Sequence, residues 1–188
     1  MAPDPIGAPN IAVTTGDEYY VHEVNEVNDY QSGAELLGES FNKTPSQTFS
    51  FTIADITTDP VYYRSSEAAH SVGAYTYFTY SNNGTSIGSR ACNDIIEAFD
   101  AAYYSTIAPT ENYFTTPSPN FNVLYTFDKK NNPEARGWLD YFEVVARMSL
   151  KPNGGQMAFR DSRSLSASNT RQFNFITPHL TPVWAVSN

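Results

Sequence analysis

Nucleophilic catalysis needs a thiol or hydroxyl beside a base that activates it. This sequence offers one cysteine, Cys92, and three histidines, His22, His70 and His179. No histidine lies near Cys92 in the chain, and the three occupy unrelated strand or loop contexts, so Cys92 reads as a small packing residue. Ser65 and Ser66 lack a supporting G-x-S-x-G pattern. Asp140 and Glu143 could form an acid–base pair, but their odd separation in an extended strand sends them to opposite faces. Glu23, Glu26, Asp29, Glu35 and Glu39 gather oxygens of the kind a hard cation takes, yet their spacing fits no EF-hand loop, and they read as a solvated acidic edge. Trp138 and Trp184, with the abundant tyrosines, could stack on apolar sugar faces. Both lie in alternating segments among aliphatic residues, which assigns them to the core. No catalytic, cofactor-binding or metal-binding residue is assigned.

Short alternating segments, separated by turn chemistry, must carry these residues. Residues 48–53 alternate hydroxyl and apolar side chains and are broken by Thr57-Thr58-Asp59-Pro60. In 71–80, Val72, Ala74, Thr76, Phe78 and Tyr80 oppose Tyr75, Tyr77 and Thr79, which predicts a central strand, and Asn82-Asn83-Gly84 supplies a hairpin turn after it. Phe121, Val123, Tyr125 and Phe127 define another strand, closed by the turn residues 128–133. The longest is 137–150, in which Trp138, Phe142, Val144, Ala146, Met148 and Leu150 share one side and Glu143, Arg147 and Ser149 take the other. With 19–24, 61–64, 156–160, 172–176 and 182–186 the total is about nine or ten strands. The expected class is all-β, a two-sheet antiparallel sandwich of jelly-roll type with at most one short helix. That helix would fall in 92–104, where Ile95, Ile96, Phe99, Ala102 and Tyr103 have helical spacing, although a bulged strand fits as well. Residues 109–119 read as a loop. Residues 1–10 are expected to be extraneous or disordered, and 11–188 to form a single β-sandwich domain.

A chain of 188 residues can bury about 70% of its unfolded surface in one core. Its formal net charge of -9 and pI near 4.6 argue against nucleic acid as a partner, since phosphate binding needs clustered lysine and arginine. The one basic pair, Lys129-Lys130, precedes Asn131-Asn132-Pro133 and reads as a solvated hairpin tip. A single cysteine excludes an intrachain disulfide. No apolar run approaches the roughly 18 residues of a membrane-spanning helix, and residues 1–7 show no signal-peptide pattern, as expected of a piece excised from an exported parent. The sequons at Asn42 and Asn83 read as incidental.

Several motifs occur in one order along the chain. Gly137-Trp138-Leu139-Asp140-Tyr141 leads a strand with Arg147 near its end; Phe159-Arg160-Asp161 follows, and then Val183-Trp184-Ala185-Val186-Ser187. Upstream, a strand from Tyr20 precedes Ser32-Gly33, Gly38-Glu39 and Phe41, and Tyr63-Arg64-Ser65-Ser66 comes later. This order resembles the region before the catalytic domain of the PorU-type sortases of type IX secretion, relatives of the gingipain cysteine peptidases. Leu37 stands where that family has Trp, Ala185 replaces an Asp, and about 81–118 matches no motif of the family, so the resemblance covers about half the chain in patches. It implies a parent that removes the C-terminal secretion signal of type IX cargo and links the cargo to anionic lipopolysaccharide, at the bacterial cell surface and in association with the outer membrane. It also implies a caspase-like peptidase domain, carrying the catalytic Cys and His, beyond Asn188. This fragment would then be non-catalytic, positioning the peptidase or contacting cargo or an outer-membrane barrel partner. The alternative is a carbohydrate-binding or adhesin-type jelly roll.

Overall fold

Alternation of apolar and polar residues drives the chain into strands, and aromatic side chains fill the space between the two sheets they form. The computed structural model describes residues 11–28, 36–96, 104–106, 109–152, 157–164 and 171–177. In chain order the strands are β1 (Ile11–Val13), β2 (Thr15–Glu23), β3 (Ser46–Thr52), β4 (Val61–His70), β5 (Thr76–Asn82), β6 (Thr85–Cys92), β7 (Ser105–Thr106), β8 (Thr110–Phe114), β9 (Asn120–Asp128), β10 (Arg136–Ser149) and β11 (Arg171–Phe173). One sheet runs β2-β10-β4, with β7 and β8 both pairing along β4; the other runs β3-β9-β5-β6. Every pairing in these sheets is antiparallel. Most strands that follow one another in sequence cross between the sheets, the β5-β6 hairpin and the β7-β8 pair of neighbours on β4 excepted, which suits a jelly-roll-like sandwich and meets the expected class. β1 and β11 form a separate parallel pair.

The core is built of rings. Tyr20 stacks on Phe51 with centroids 3.7 Å apart, and Phe51 on Phe121 at 4.8 Å. Phe142 lies among Tyr20, Phe49, Tyr63 and Tyr125. The pairs around Phe142, with centroids 5.5–6.2 Å apart, add about 0.5–1.5 kcal/mol each beyond area burial. The start of β10 must pass close over rings of the opposite sheet: a Cβ at Gly137 would sit 2.8 Å from both Phe78 and Phe127, which explains the glycine that opens the G-W-L-D-Y segment.

Several expectations need correction. The faces of β10 are not continuous: its pairing with β4 shifts between Leu139 and Tyr141, leaving Asp140 as the extra residue of a bulge. Leu139 therefore joins Phe142, Val144 and Ala146 in the main core, while Trp138 turns to the other face and packs with Leu37 and Ala68. Residues 71–75 are not strand; Gly73 has φ 72°, and β5 begins only at Thr76, although it is the inner strand expected. The loop expected at 109–119 contains β8. Of the predicted 156–160 strand, the described residues form only a bridge from Arg160 to Asp17. In 92–104, Cys92 ends β6 and Ile95 bridges Val72, with no helix among the described residues there; 97–103 lie outside them, as do the 182–186 strand and residues 1–10. The turn at Asn83-Gly84 is as predicted, both residues having positive φ (49° and 83°).

Candidate binding face

The two sheets present very different outer surfaces. On the β3-β9-β5-β6 sheet the register lines up Ser46, Thr126, Thr79 and Ser89 in one row. Further along, Ser50 donates to Asn122 at 2.8 Å and Thr52 to Asn120 at 3.0 Å. Small hydroxyls and amides bond to one another across the strands, and the large side chains on this face are Leu124 and Tyr77, the latter lying under Lys130 at 4.8 Å.

The outer face of the β2-β10-β4-β8 sheet is aromatic and charged. One row across four strands is Tyr19, Val145, Tyr62 and Tyr113; the next is Val21, Glu143, Arg64 and Glu111; a third has Glu23, Tyr141 and Ser66. Tyr113 is 69% exposed and Tyr19 51%. Tyr62 and Tyr113 touch at 5.4 Å between centroids, tilted by 59°. The Arg64 guanidinium lies 5.7 Å from the Tyr141 ring centre and 3.7 Å from Glu143. Partial burial, reinforced by hydrogen bonding to Glu111, pushes the Tyr62 phenol up to about 12, and Tyr19 is raised by burial and then by Glu143, so both phenols stay protonated donors to carboxylates.

Both ends of this face are covered, and the covers contain the motif residues. At one end Arg147 turns outward and is nearly buried by the passing 160–162 segment. Its Nη1 reaches Asp17 and Asp161, each at 2.7 Å, and its Nη2 donates to the Thr15 carbonyl at 3.0 Å. The Ser162 amide completes Asp17 at 2.6 Å. Burial pushes the Asp17 carboxyl up, but the bonds from Arg147 and Ser162 outweigh it and hold the group below its usual range. Arg147 and the Asp of Phe159-Arg160-Asp161 are thus partners in one ion cluster.

At the other end Trp138, 1% exposed, packs under Leu37. The 38–41 segment pairs with the start of β10, the Gly38 amide donating to the Leu139 carbonyl at 2.8 Å and the Phe41 amide to that of Gly137. A Cβ at Gly38 would meet the Val24 and Leu139 carbonyl oxygens at 2.8 and 2.9 Å, so only glycine fits. Glu39 reaches His22 at 2.6 Å, and the His22 ring lies against Phe142 and Phe49. The Gly-Glu segment and the opening strand are therefore stapled to the G-W-L-D-Y strand.

The sequence-level candidates for catalysis are dispersed. Cys92 is buried, and desolvation with the nearby Glu67 carboxylate pushes its thiol up to about 12. Ser65 points inward and Ser66 outward opposite Tyr141, so neither forms part of a common site. Glu143 holds Arg64, and Asp140 occupies the bulge. Of the acidic set, Glu39 pairs with His22 while Glu23 accepts from Asn25 at 3.3 Å; Asp29 and Glu35 lie outside the described residues. Among the described residues no three His, Cys, Asp or Glu side chains gather as metal ligands. Trp138 is core and cannot serve a sugar platform; Trp184 and His179 lie outside the described residues. The Asn83 amide is spent on Asn120 and Asn122, and Asn42 accepts from the Gly137 amide. Lys130 pairs with Asp128 at 2.7 Å at the expected hairpin tip.

Sequence reasoning missed two features. The tyrosine rows escaped it because their members come from four distant segments and meet only through strand register. The second is interior: Glu67, 1% exposed, faces Arg90 at 3.7 Å between the sheets, and no hydrogen-bond donor reaches either of its oxygens. Burial pushes its carboxyl up to about 7 despite Ser65 and Arg90 nearby.

No protein-family model matches this sequence, and no curated protein matches it. Among solved structures, dimeric latent PorU from Porphyromonas gingivalis has a similar fold, with a TM-score of 0.70 at 18% identity. The match covers 89% of this chain and 16% of that one, so this chain spans a small part of the PorU length. At that identity the likeness establishes the fold alone. A carbohydrate-binding module, CBM36 in complex with calcium and xylotriose, aligns at a TM-score of 0.36 and 12% identity over 70% of this chain and 99% of its own, too distant to carry an argument.

Proposed function

We propose that this chain is a non-catalytic jelly-roll domain of a type IX secretion sortase, carried at the bacterial surface beside a caspase-like peptidase that removes C-terminal signals from cargo. The observation that supports this most is that the motif residues of the resemblance touch one another: Arg147 binds Asp161, and Gly38-Glu39 is clamped between the opening strand and β10. Motifs that specify one another's contacts are a stronger sign of common design than motifs found singly in the right order. The domain's part is then to hold the peptidase in place and to present a surface to cargo or to an outer-membrane barrel.

The test uses the full protein encoded by the gene, with and without residues 11–188. Loss of signal removal from a type IX cargo, with cleavage of short peptides retained by the shortened protein and absent from the isolated chain, is expected. Peptide turnover by the isolated chain that vanished in Cys92→Ala would overturn the assignment, as would a glycoside hydrolase encoded after Asn188.

A further inference from the structure

We infer that the outer face between the Trp138 and Arg147 covers is a docking site for a short basic polypeptide segment. The inference rests on this face alone and holds whatever the parent protein is. Three observations carry it.

First, the two outer faces differ as interface and solvent surfaces differ. Tyrosine and arginine are enriched, and serine depleted, where proteins meet partners. Tyr19, Tyr62, Tyr113, Tyr141 and Arg64 lie on one sheet, while the strands of the other carry the Ser46-Thr126-Thr79-Ser89 row and one outward tyrosine, Tyr77, already capped by Lys130. Second, the face is bounded. Three rows on four strands span about 400 Å² at ordinary strand spacing, roughly half of what each partner contributes to a standard protein–protein interface. A segment fits that area better than a folded domain.

Third, the charge and ring arrangement selects the segment's chemistry. Glu23, Glu111 and Glu143 surround the rings, against the one guanidinium of Arg64. Arg64 shows what the face does with such a group, lying over Tyr141 while pairing with Glu143. Tyr113 and Tyr62, with Glu111 beside them, repeat that combination one strand further out, where Tyr113 is open to solvent. An incoming arginine there gains a ring face and a carboxylate together, and guanidinium on tyrosine is a favourable pairing. The tilt of 59° between Tyr62 and Tyr113 gives no flat shelf of coplanar rings for a sugar chain.

The test titrates the 188-residue chain with a nine-residue oligoarginine, a nine-residue oligoglutamate and xylohexaose, by calorimetry at two salt concentrations. Oligoarginine should bind and oligoglutamate and xylohexaose should not. Tyr113→Ser should weaken oligoarginine about tenfold, and Glu111→Lys more; both positions are exposed, so folding is preserved. Ser89→Ala and Glu26→Gln should leave binding within twofold. Equal loss in Glu26→Gln and Glu111→Gln would reduce the effect to diffuse attraction by an acidic protein and overturn the inference. Oligoarginine affinity unmoved by Tyr113→Ser, or xylohexaose binding lost in Tyr113→Ser, would overturn it too, the latter in favour of a glycan.

Discussion

Replacing Glu67 by glutamine should flatten the dependence of stability on pH. Glu67 lies between the sheets with its oxygens lacking donors in hydrogen-bonding geometry, and its carboxyl is raised from 4.5 to about 7. A folded-state pKa above the unfolded value means that the folded protein holds the proton more tightly, so stability is greatest below 4.5 and declines as pH rises toward 7. The full difference amounts to about 3 kcal/mol, a substantial share of a single domain's margin. Arg90, at 3.7 Å, does not cancel it, because removing two charges from water costs more than a loose pair returns. Urea unfolding at pH 5, 6 and 7.5 measures the effect. The parent should lose about 2–3 kcal/mol between pH 5 and 7.5 relative to Glu67→Gln, which has no proton to release. Asp17 does not interfere, since its lowered pKa places its titration below 3.8. Parallel curves for parent and variant would show that Glu67 is ionised throughout and well paired, and the reasoning would fail.

Arg147→Met should destabilise the domain by about 3–5 kcal/mol, because Asp17 and Asp161 would be left buried against each other; a loss under 1 kcal/mol in urea unfolding would show that the cluster contributes little. Gly38→Ala places a Cβ against two carbonyl oxygens, at 2.8 and 2.9 Å, and should cost about 1–3 kcal/mol. An unchanged melting temperature would mean that the 38–41 segment shifts freely. Cys92 should react with iodoacetamide roughly a thousandfold more slowly in the folded protein than in urea, since its thiol is raised to about 12; similar rates would place the thiol at the surface.

The jelly roll was legible where residues alternate and face a uniform environment. β3, β9 and the later half of β10 show this, since apolar residues on one side and mostly polar ones on the other leave one reading. The reading failed where that uniformity broke. In β10 a single extra residue, Asp140, reverses the faces, and period-two counting cannot detect it. In β6 the inward position is taken by Arg90 rather than an apolar residue, so T-S-I-G-S-R-A-C carries no amphipathic signal. β8 is hidden among Pro109, Pro117 and Pro119, and its hydrogen bonds come from β4, far away in sequence. The binding face was illegible for a related reason. A tyrosine at a solvent-side position is unremarkable in one strand and becomes a surface only when register sets four strands side by side. The ion cluster was half legible, since Arg147 and Asp161 were singled out by motif, but their contact was not.

The central place of β10 bears on the order in which the molecule can assemble. Its partners, β2 and β4, both precede it in the chain and do not pair with each other. A polypeptide emerging N-terminus first therefore carries two strands with bare inner edges until Ser149 is available, and the Arg147 cluster waits for Asp161. Non-local pairing of this kind folds slowly and leaves strand edges open to other chains in the interval. Either a holdase or completion of the chain before collapse would shorten that exposure, and the domain should refold best at low concentration from the whole chain rather than accumulate as a stable N-terminal half.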